Sequence, residues 1–501
     1  MNLGRVAGLL VVGAGVGVGY AHWSGRDNQV QPPPAAGPAH DVRHYGAKGD
    51  GQQDDTAALQ KAIDSGVGHV VLPRGTYRLS RPLVIDLSRT GFVCLDGGGV
   101  ARLLMSGPGP AIRLVGTHSG TAQPQTVPPA VWQQERMPRI EGLEIVGAHP
   151  QADGIAASGT MQLTITEVLI RRCRHGIHLQ QRNRNVIIAN SHVYDNTGVG
   201  IFLDQVNLHQ INVSACHISY CEGGGIVCQG GELRNLQICG CDLESNQGKD
   251  HPPTANVLIE GGANAEIAIT GCTIQHGHEA PGSANIRIRG RSEREVPKTA
   301  ERREGHVVIT GNVLSDVMVN IHLDQVRGAV ITGNTFWTAY EHNLLIEDSS
   351  YVVVGENNFD RNPRYWREER DDTRNVIVVR RCSECIFKGF VISATRSAPA
   401  AVTLEQCHRC QIQGISILDC DGIGLLAKGL TSSRVSDCLI RDDRAGTRSL
   451  SLVVQGGKDN LIVDNYLGRP ARIDPTSGEV HRNYLAPASP EAGPSATAPS
   501  K

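Results

Sequence analysis

The sequence predicts an all-β solenoid, in which short parallel strands stack coil upon coil into a parallel β-helix. Three observations carry this. IFLDQV at 201–206 returns as IHLDQV at 321–326. Aligning a small residue or Asn followed by apolar-any-apolar-any gives ten runs: GIHLQ (176), GIFLD (200), GIVCQ (225), NVLIE (256), NIRIR (285), NIHLD (320), NLLIE (343), NVIVV (375), AVTLE (401) and GLLAK (424), spaced 23 to 35 residues apart. Between them lies a second apolar stretch that often closes in a small or amide residue: VIIANS, INVSAC, IAITGC, VVITGN, AVITGN and VVVGEN. Repeats of this length cannot bury an apolar face alone, so they must stack on one another. The two hexapeptides are then the same strand of two different coils.

Composition agrees. The chain has 501 residues, 40% hydrophobic and only 4% aromatic, with 58 Gly, which suits many short strands and turns. A net charge of -2 leaves no basic footprint for nucleic acid, which is excluded as a partner.

Taken in chain order, residues 1–21 carry one early positive charge and an apolar, Gly-rich run, and read as a signal peptide or an uncleaved membrane anchor. Either places the rest outside the cytoplasm. Residues 22–40 form a Pro-rich linker, 41–485 the β-helix domain, and 486–501 a polar tail expected to be disordered. The domain opens with HYGAKGDGQQDDTAALQKAIDSG (44–66), where Asp54 or Asp55 caps a short helix with Ala58, Leu59, Ala62 and Ile63 on one face and Gly66 stops it. VVLPRGTYRLSRPLVI (70–85) alternates as a strand pair.

These entry residues, YGAKGDGQQDDTAALQKAI followed by VVLPRGTYRLS, resemble the start of the pectate lyase-like superfamily. The resemblance implies a right-handed coil with a short N-terminal capping helix, and many such proteins act on polysaccharides. NIRIR resembles the substrate-binding run of polygalacturonase-like glycoside hydrolases, which implies that Arg287 and Arg289 hold a sugar carboxylate. ADGI (152–155) resembles that group's first aspartate motif at Asp153, and RHGIHL (174–179) its histidine motif at His175. The aspartate pair expected between them is missing, so that mechanism does not carry over intact.

Strand alternation sends the second and fourth positions of each run inward and the third and fifth outward. The outward third row reads His178, Phe202, Val227, Leu258, Arg287, His322, Leu345; the fifth reads Gln180, Asp204, Gln229, Glu260, Arg289, Asp324, Glu347. Alternating charge on a solvated face can simply relieve repulsion. This stripe also holds two Arg in one run, apolar neighbours and nearby long insertions (117–137, 291–305, 361–375), as a binding groove would.

The expected function is therefore that of an exported carbohydrate-active protein acting on an acidic polysaccharide. Asp204, Glu260 and Asp324 serve as acid, base or nucleophile and His322 in proton transfer. Arg287, Arg289, Glu347, His178, Phe202 and Trp366 contact substrate, and Trp132 and Trp337 offer further sugar-stacking faces. Glycoside hydrolysis needs two carboxyl groups. The alternatives are β-elimination, with calcium as its cofactor and Arg and His as catalysts, and a non-catalytic glycan-binding or surface-structural coil. No cofactor is otherwise called for, no metal ligands are assigned, the membrane is met only through an uncleaved anchor, and the chain is expected to be a monomer. Among 14 Cys, Cys382–Cys385 and Cys407–Cys410 form two CxxC pairs, readable as stacked thiols, disulfides or a metal site.

Overall fold

The computed structural model describes residues 40–290, 304–361 and 373–486. The signal or anchor, nearly all of the linker and tail, Trp366 and most of the insertions at 291–305 and 361–375 lie outside those residues. Every strand pairing among the described residues is parallel, and partners come from neighbouring coils. The protein is an all-β solenoid.

One column shows how it is built. Ile177, Ile201, Ile226, Val257, Ile286, Ile321 and Leu344 face one another coil after coil. All are buried, and they belong to one apolar core running from Val42 to Leu467. A single row of Ile and Leu at strand spacing fills the lumen because each residue meets its equivalent about 4.8 Å above and below.

The small-or-Asn residue ahead of each run has a physical cause. A Cβ on Gly176, Gly200 or Gly225 would sit 2.5 to 2.7 Å from a carbonyl oxygen of the next coil. From residue 256 to 343 the position is Asn, and the amides form a ladder: Asn256 Nδ2 donates to Asn285 Oδ1 at 2.8 Å, Asn285 to Asn320 at 2.8 Å, and Asn320 to Asn343 at 2.9 Å. A second ladder joins Asn312, Asn334 and Asn357 at 3.0 Å per step. Cys272 precedes it in the stack, its N–H donating to Asn312 Oδ1 at 2.9 Å.

The hexapeptides repeat because each contains a corner. Leu203 and Leu323 point inward and Asp204 and Asp324 outward. Gln205 (φ 47°) and Gln325 (φ 58°) then turn the chain through the left-handed region, and Val206 and Val326 re-enter the core. The same left-handed position recurs at Asp348, Arg381 and Gln406.

At the entry, the helix is Thr56–Asp64, burying Leu59, Ala62 and Ile63. Asp54 does the capping, its Oδ1 accepting from Thr56 N at 3.1 Å. Asp55 instead turns back to accept from Lys48 N at 2.7 Å and Gly49 N at 3.0 Å. The helix stops at Asp64, two residues before Gly66. The expected strand pair at 70–85 is three strands, His69–Val71, Gly75–Leu79 and Leu83–Asp86, because the chain turns at both Pro73 and Pro82.

Candidate functional site

The fifth positions stack as read from the sequence: Gln180, Asp204, Gln229, Glu260, Arg289, Asp324 and Glu347 are successive partners. The row continues through Arg380, Glu405 and Lys428. Here the alignment needs a correction. NVIVV at 375 is out of step by one residue, because a register shift between His342 and Leu344 sets Ile377, not Val376, opposite Leu344. Arg380, which the sequence alignment left out, therefore joins the row beside Glu347. Asp204 lies four coils before Asp324, about 19 Å by strand spacing, so those two carboxylates do not act as a pair.

Both signs of charge share this row, with Asp324 and Glu347 adjacent and alike, and contact is uneven. Arg289 stands between Glu260 (4.0 Å) and Asp324 (3.9 Å), and its guanidinium side chain is 48% exposed. Glu347 is gripped far more closely. Arg380 approaches it at 3.6 Å and Arg381 at 3.5 Å, Arg381 also pairing with Asp348 at 2.7 Å, and His322 Nε2 meets Glu347 Oε2 at 3.3 Å. Burial pushes the Asp324 carboxyl up from the ordinary Asp range, Arg289 opposing this and Glu347 adding to it. Two carboxyl groups on adjacent coils thus sit in opposite environments, one held by cations and one favouring its proton.

The third row differs from the expectation of an open face. Arg287 and His322 are buried, 6% and 7% exposed, and Val227 and Leu258 are covered rather than surface, forming a small cluster with Val199, Ala255, Ala284 and Val319. Phe202 and Leu345 border it, partly buried. The cause is two short turns at 246–254 and 276–283: Arg287 donates to Thr254 O at 3.2 Å and to Gly282 O at 2.7 Å. Its Nε also donates to His322 Nδ1 at 3.3 Å, so His322 carries its proton on Nε2, toward Glu347. Burial, with Arg287 and Arg289 nearby, holds the His322 imidazole down at about 3. Burial also lowers Arg287 to about 10. With both ring nitrogens engaged, His322 orients Glu347. Gly and Pro in both segments mark turns, but nothing in the sequence says that they fold over the third row.

A second constellation lies at the N-terminal end of the stripe. His178 Nε2 meets Asp204 Oδ2 at 3.1 Å, the same diagonal that joins His322 to Glu347. Phe202 stacks on His178 with centroids 5.0 Å apart, and His175 packs against both rings. Asp153 is bound by Arg174 at 2.9 and 2.7 Å and accepts from His175 N at 3.1 Å. His175 Nδ1 accepts from Val199 N at 3.1 Å, and burial lowers this imidazole to about 4. Trp132 packs on Val127, Val131 and Met161 beneath its own loop.

Three family models match parts of the chain. Residues 130–274 match a right handed beta helix region, 39–93 match rhamnogalacturonase A/epimerase, pectate lyase-like, and 259–485 match periplasmic copper-binding protein (NosD). Alginate lyase 7 of Azotobacter vinelandii is 53% identical over 45 residues, covering 8% of this chain and 5% of that protein's length. Among solved structures, pre-mature gene product 12 of bacteriophage phi29 is 16% identical over 88% of this chain and 58% of its own, with a TM-score of 0.52, which shows the shared fold. The mannuronan C-5 epimerase AlgE4 A-module of Azotobacter vinelandii is 14% identical over 89% of this chain and 100% of its own, with a TM-score of 0.37. No helix among the described residues is long and apolar enough to cross a membrane.

Proposed function

Because this chain belongs to the pectate lyase-like superfamily of right-handed parallel β-helices, we propose that it is an exported glycoside hydrolase acting on an acidic polysaccharide. The observation that carries this is the carboxyl pair Asp324 and Glu347, adjacent in register and unlike in environment. Asp324, whose carboxyl burial pushes up from the ordinary Asp range, is the acid that delivers a proton to the leaving glycosidic oxygen. Glu347, held in place by Arg380, Arg381 and His322, attacks the anomeric carbon. One strand spacing between them, about 4.8 Å, suits the ~5 Å separation of a retaining pair. Arg289, half exposed beside Asp324, takes the sugar's carboxylate by a bidentate contact. Glu260, two coils from Asp324, lies across that guanidinium and lines the same cleft.

Elimination is less well supported, since Arg287 is buried and His322 has no free nitrogen. The NosD match brings copper into view, but no group of three or more His, Cys, Asp or Glu among the described residues is arranged to hold a metal ion, and no step is assigned to one.

The test is a panel of acidic polysaccharides offered to the purified chain with and without calcium, reading new reducing ends and the ultraviolet absorbance of unsaturated uronates together. Reducing ends without the absorbance are expected, with Asp324→Asn and Glu347→Gln each lowering turnover about a hundredfold or more. The absorbance would turn the reading to elimination. Binding without either signal would leave a glycan-binding coil.

A further inference from the structure

Away from the carboxyl pair, one cluster of basic side chains is buried with no acid to meet it. It lies on the face that follows the corner at Gln181. There Arg182 faces Asn207 and then Glu232, while Arg184 faces His209 and then Arg234, on successive coils. The insertion at 117–137 folds over this face. Gly120 O accepts from Arg182 Nη1 at 3.0 Å, and Val127, Val131 and Trp132 pack on Met161, the neighbour of Arg184 in register. His118 comes down with the loop: a Cβ on Gly120 would lie 3.3 Å from its Cε1.

Arg184 and His118 are each 1% exposed. Arg184 donates from Nη1 to Asn183 O and Asn207 O, both at 2.7 Å, and from Nη2 to Asn207 Oδ1 at 2.6 Å. All three acceptors are neutral, and its Nε has no partner among the described residues. Neither ring nitrogen of His118 makes a hydrogen bond there, and His209 Nε2 is buried without one. The acids nearby are engaged elsewhere. Glu232 stands 3.9 Å from His209 and 3.8 Å from Arg234 and accepts from Asn207 at 3.0 Å, and Glu135 of the loop accepts from Thr117 N at 2.7 Å. Burial, with Arg182 adding, lowers Arg184 only to about 10, so it remains a cation at neutral pH. Burial and the Arg184 charge lower both His118 and His209. A buried cation is costly unless an opposite charge meets it, and among the described residues none pairs with Arg182 or Arg184.

We propose that this cluster is a binding site for one oxyanion group, a sulfate, phosphate or carboxylate. Arg182 and Arg184 supply the charge, and His118 and His209 supply N–H donors while remaining neutral. Guanidinium and imidazole N–H groups suit such oxygens, and charge-assisted bonds of this kind are the strong ones. The anion arrives either free or as the acid group of a glycan, since Arg182 follows Gln180 of the outward stripe by two residues. The inference is independent of the hydrolase reading, because an anion can bind here whether or not Asp324 and Glu347 cleave.

The experiment follows thermal unfolding of the full chain in sodium sulfate, sodium phosphate and sodium chloride at matched ionic strength, then in glucuronic acid against glucose. Sulfate and phosphate also strengthen folding by exclusion from the protein surface, a rise that variants share and that does not saturate. A site gives a rise that saturates. A saturating rise of about 2 °C or more, half complete at millimolar anion, is expected over chloride. Arg184→Met and Arg182→Gln should lose it or need about tenfold more anion, whereas Arg289→Ala keeps it, which separates this site from the stripe. Arg182 is only half-buried, so Arg182→Gln preserves the test if Arg184→Met fails to fold. Saturation by glucuronic acid as well assigns the acid group of a glycan, and saturation by the inorganic ions alone assigns a free ion. An unsaturated rise, equal in the parent and both variants, would overturn the proposal and leave these groups to solvent.

Discussion

Asp324 is the residue at which proposed chemistry and stability oppose each other. Its carboxyl is raised in the folded chain, chiefly by burial, so folding binds the proton more tightly than the unfolded chain does. That contribution to stability is present below the ordinary Asp range and is lost as pH rises through the raised value. Above the raised value the folded chain therefore carries a partly buried charge that asparagine would not. Asp324→Asn is expected to raise the melting temperature at pH 7 by on the order of 1 °C while removing turnover, with the gain vanishing near pH 3.5. A lower melting temperature at pH 7 would mean that Arg289, at 3.9 Å, outweighs the burial. The identity of Asp324 as an outward carboxylate was legible from its place in IHLDQV. Its environment was not, because that depends on burial and on the charges of Arg289 and Glu347 on the flanking coils, which local pattern does not weigh.

Within single coils, the sequence was legible wherever one residue type answers one geometric demand. Inward Ile and Leu and the Gly-or-Asn column each reflect a position that repeats every turn of the solenoid, whereas the left-handed corner at Gln205 and Gln325 takes Asp348 and Arg381 elsewhere and carried no such signal. The third row was misread because alternation tells which face a side chain takes but not what lies over that face. Arg287 and His322 do point away from the lumen, and the turns ending at Thr254 and Gly282 then cover them. The amide column gives a sharp test of how much such a repeated position contributes. Asn320 is fully buried, accepts from Asn285 and donates to Asn343. Asn320→Ala leaves a donor and an acceptor of neighbouring coils without that partner, which should lower the unfolding free energy by about 1–3 kcal/mol. Chemical denaturation checks it, and a loss below about 0.5 kcal/mol would assign the ladder to packing alone.

Across the whole molecule, three buried histidines set the response to acid in one direction. His175 is lowered to about 4, His322 to about 3 and His342 to about 4, each mainly by burial. Their ordinary value is 6.5, so between that pH and the lowered values the unfolded chain takes up protons that the folded chain refuses. Stability present above pH 6.5 is lost as pH falls through this window. Asp54 and Asp442, near opposite ends of the coil and held at about 2 by hydrogen bonds that outweigh their burial, extend the loss below the ordinary Asp value of 3.8. In a solenoid each coil touches only its neighbours, so the loss should begin locally rather than everywhere at once. Amide exchange compared at pH 7 and pH 5 is expected to show protection falling first on the coils around His175 and around His322 and His342, while the coils at 400–440, which hold none of these three, stay protected. His322→Asn should restore protection at pH 5 to its own neighbourhood alone. Uniform loss along the coil would mean that the stack opens as one unit, and the histidines would then act on global stability rather than on their own turns.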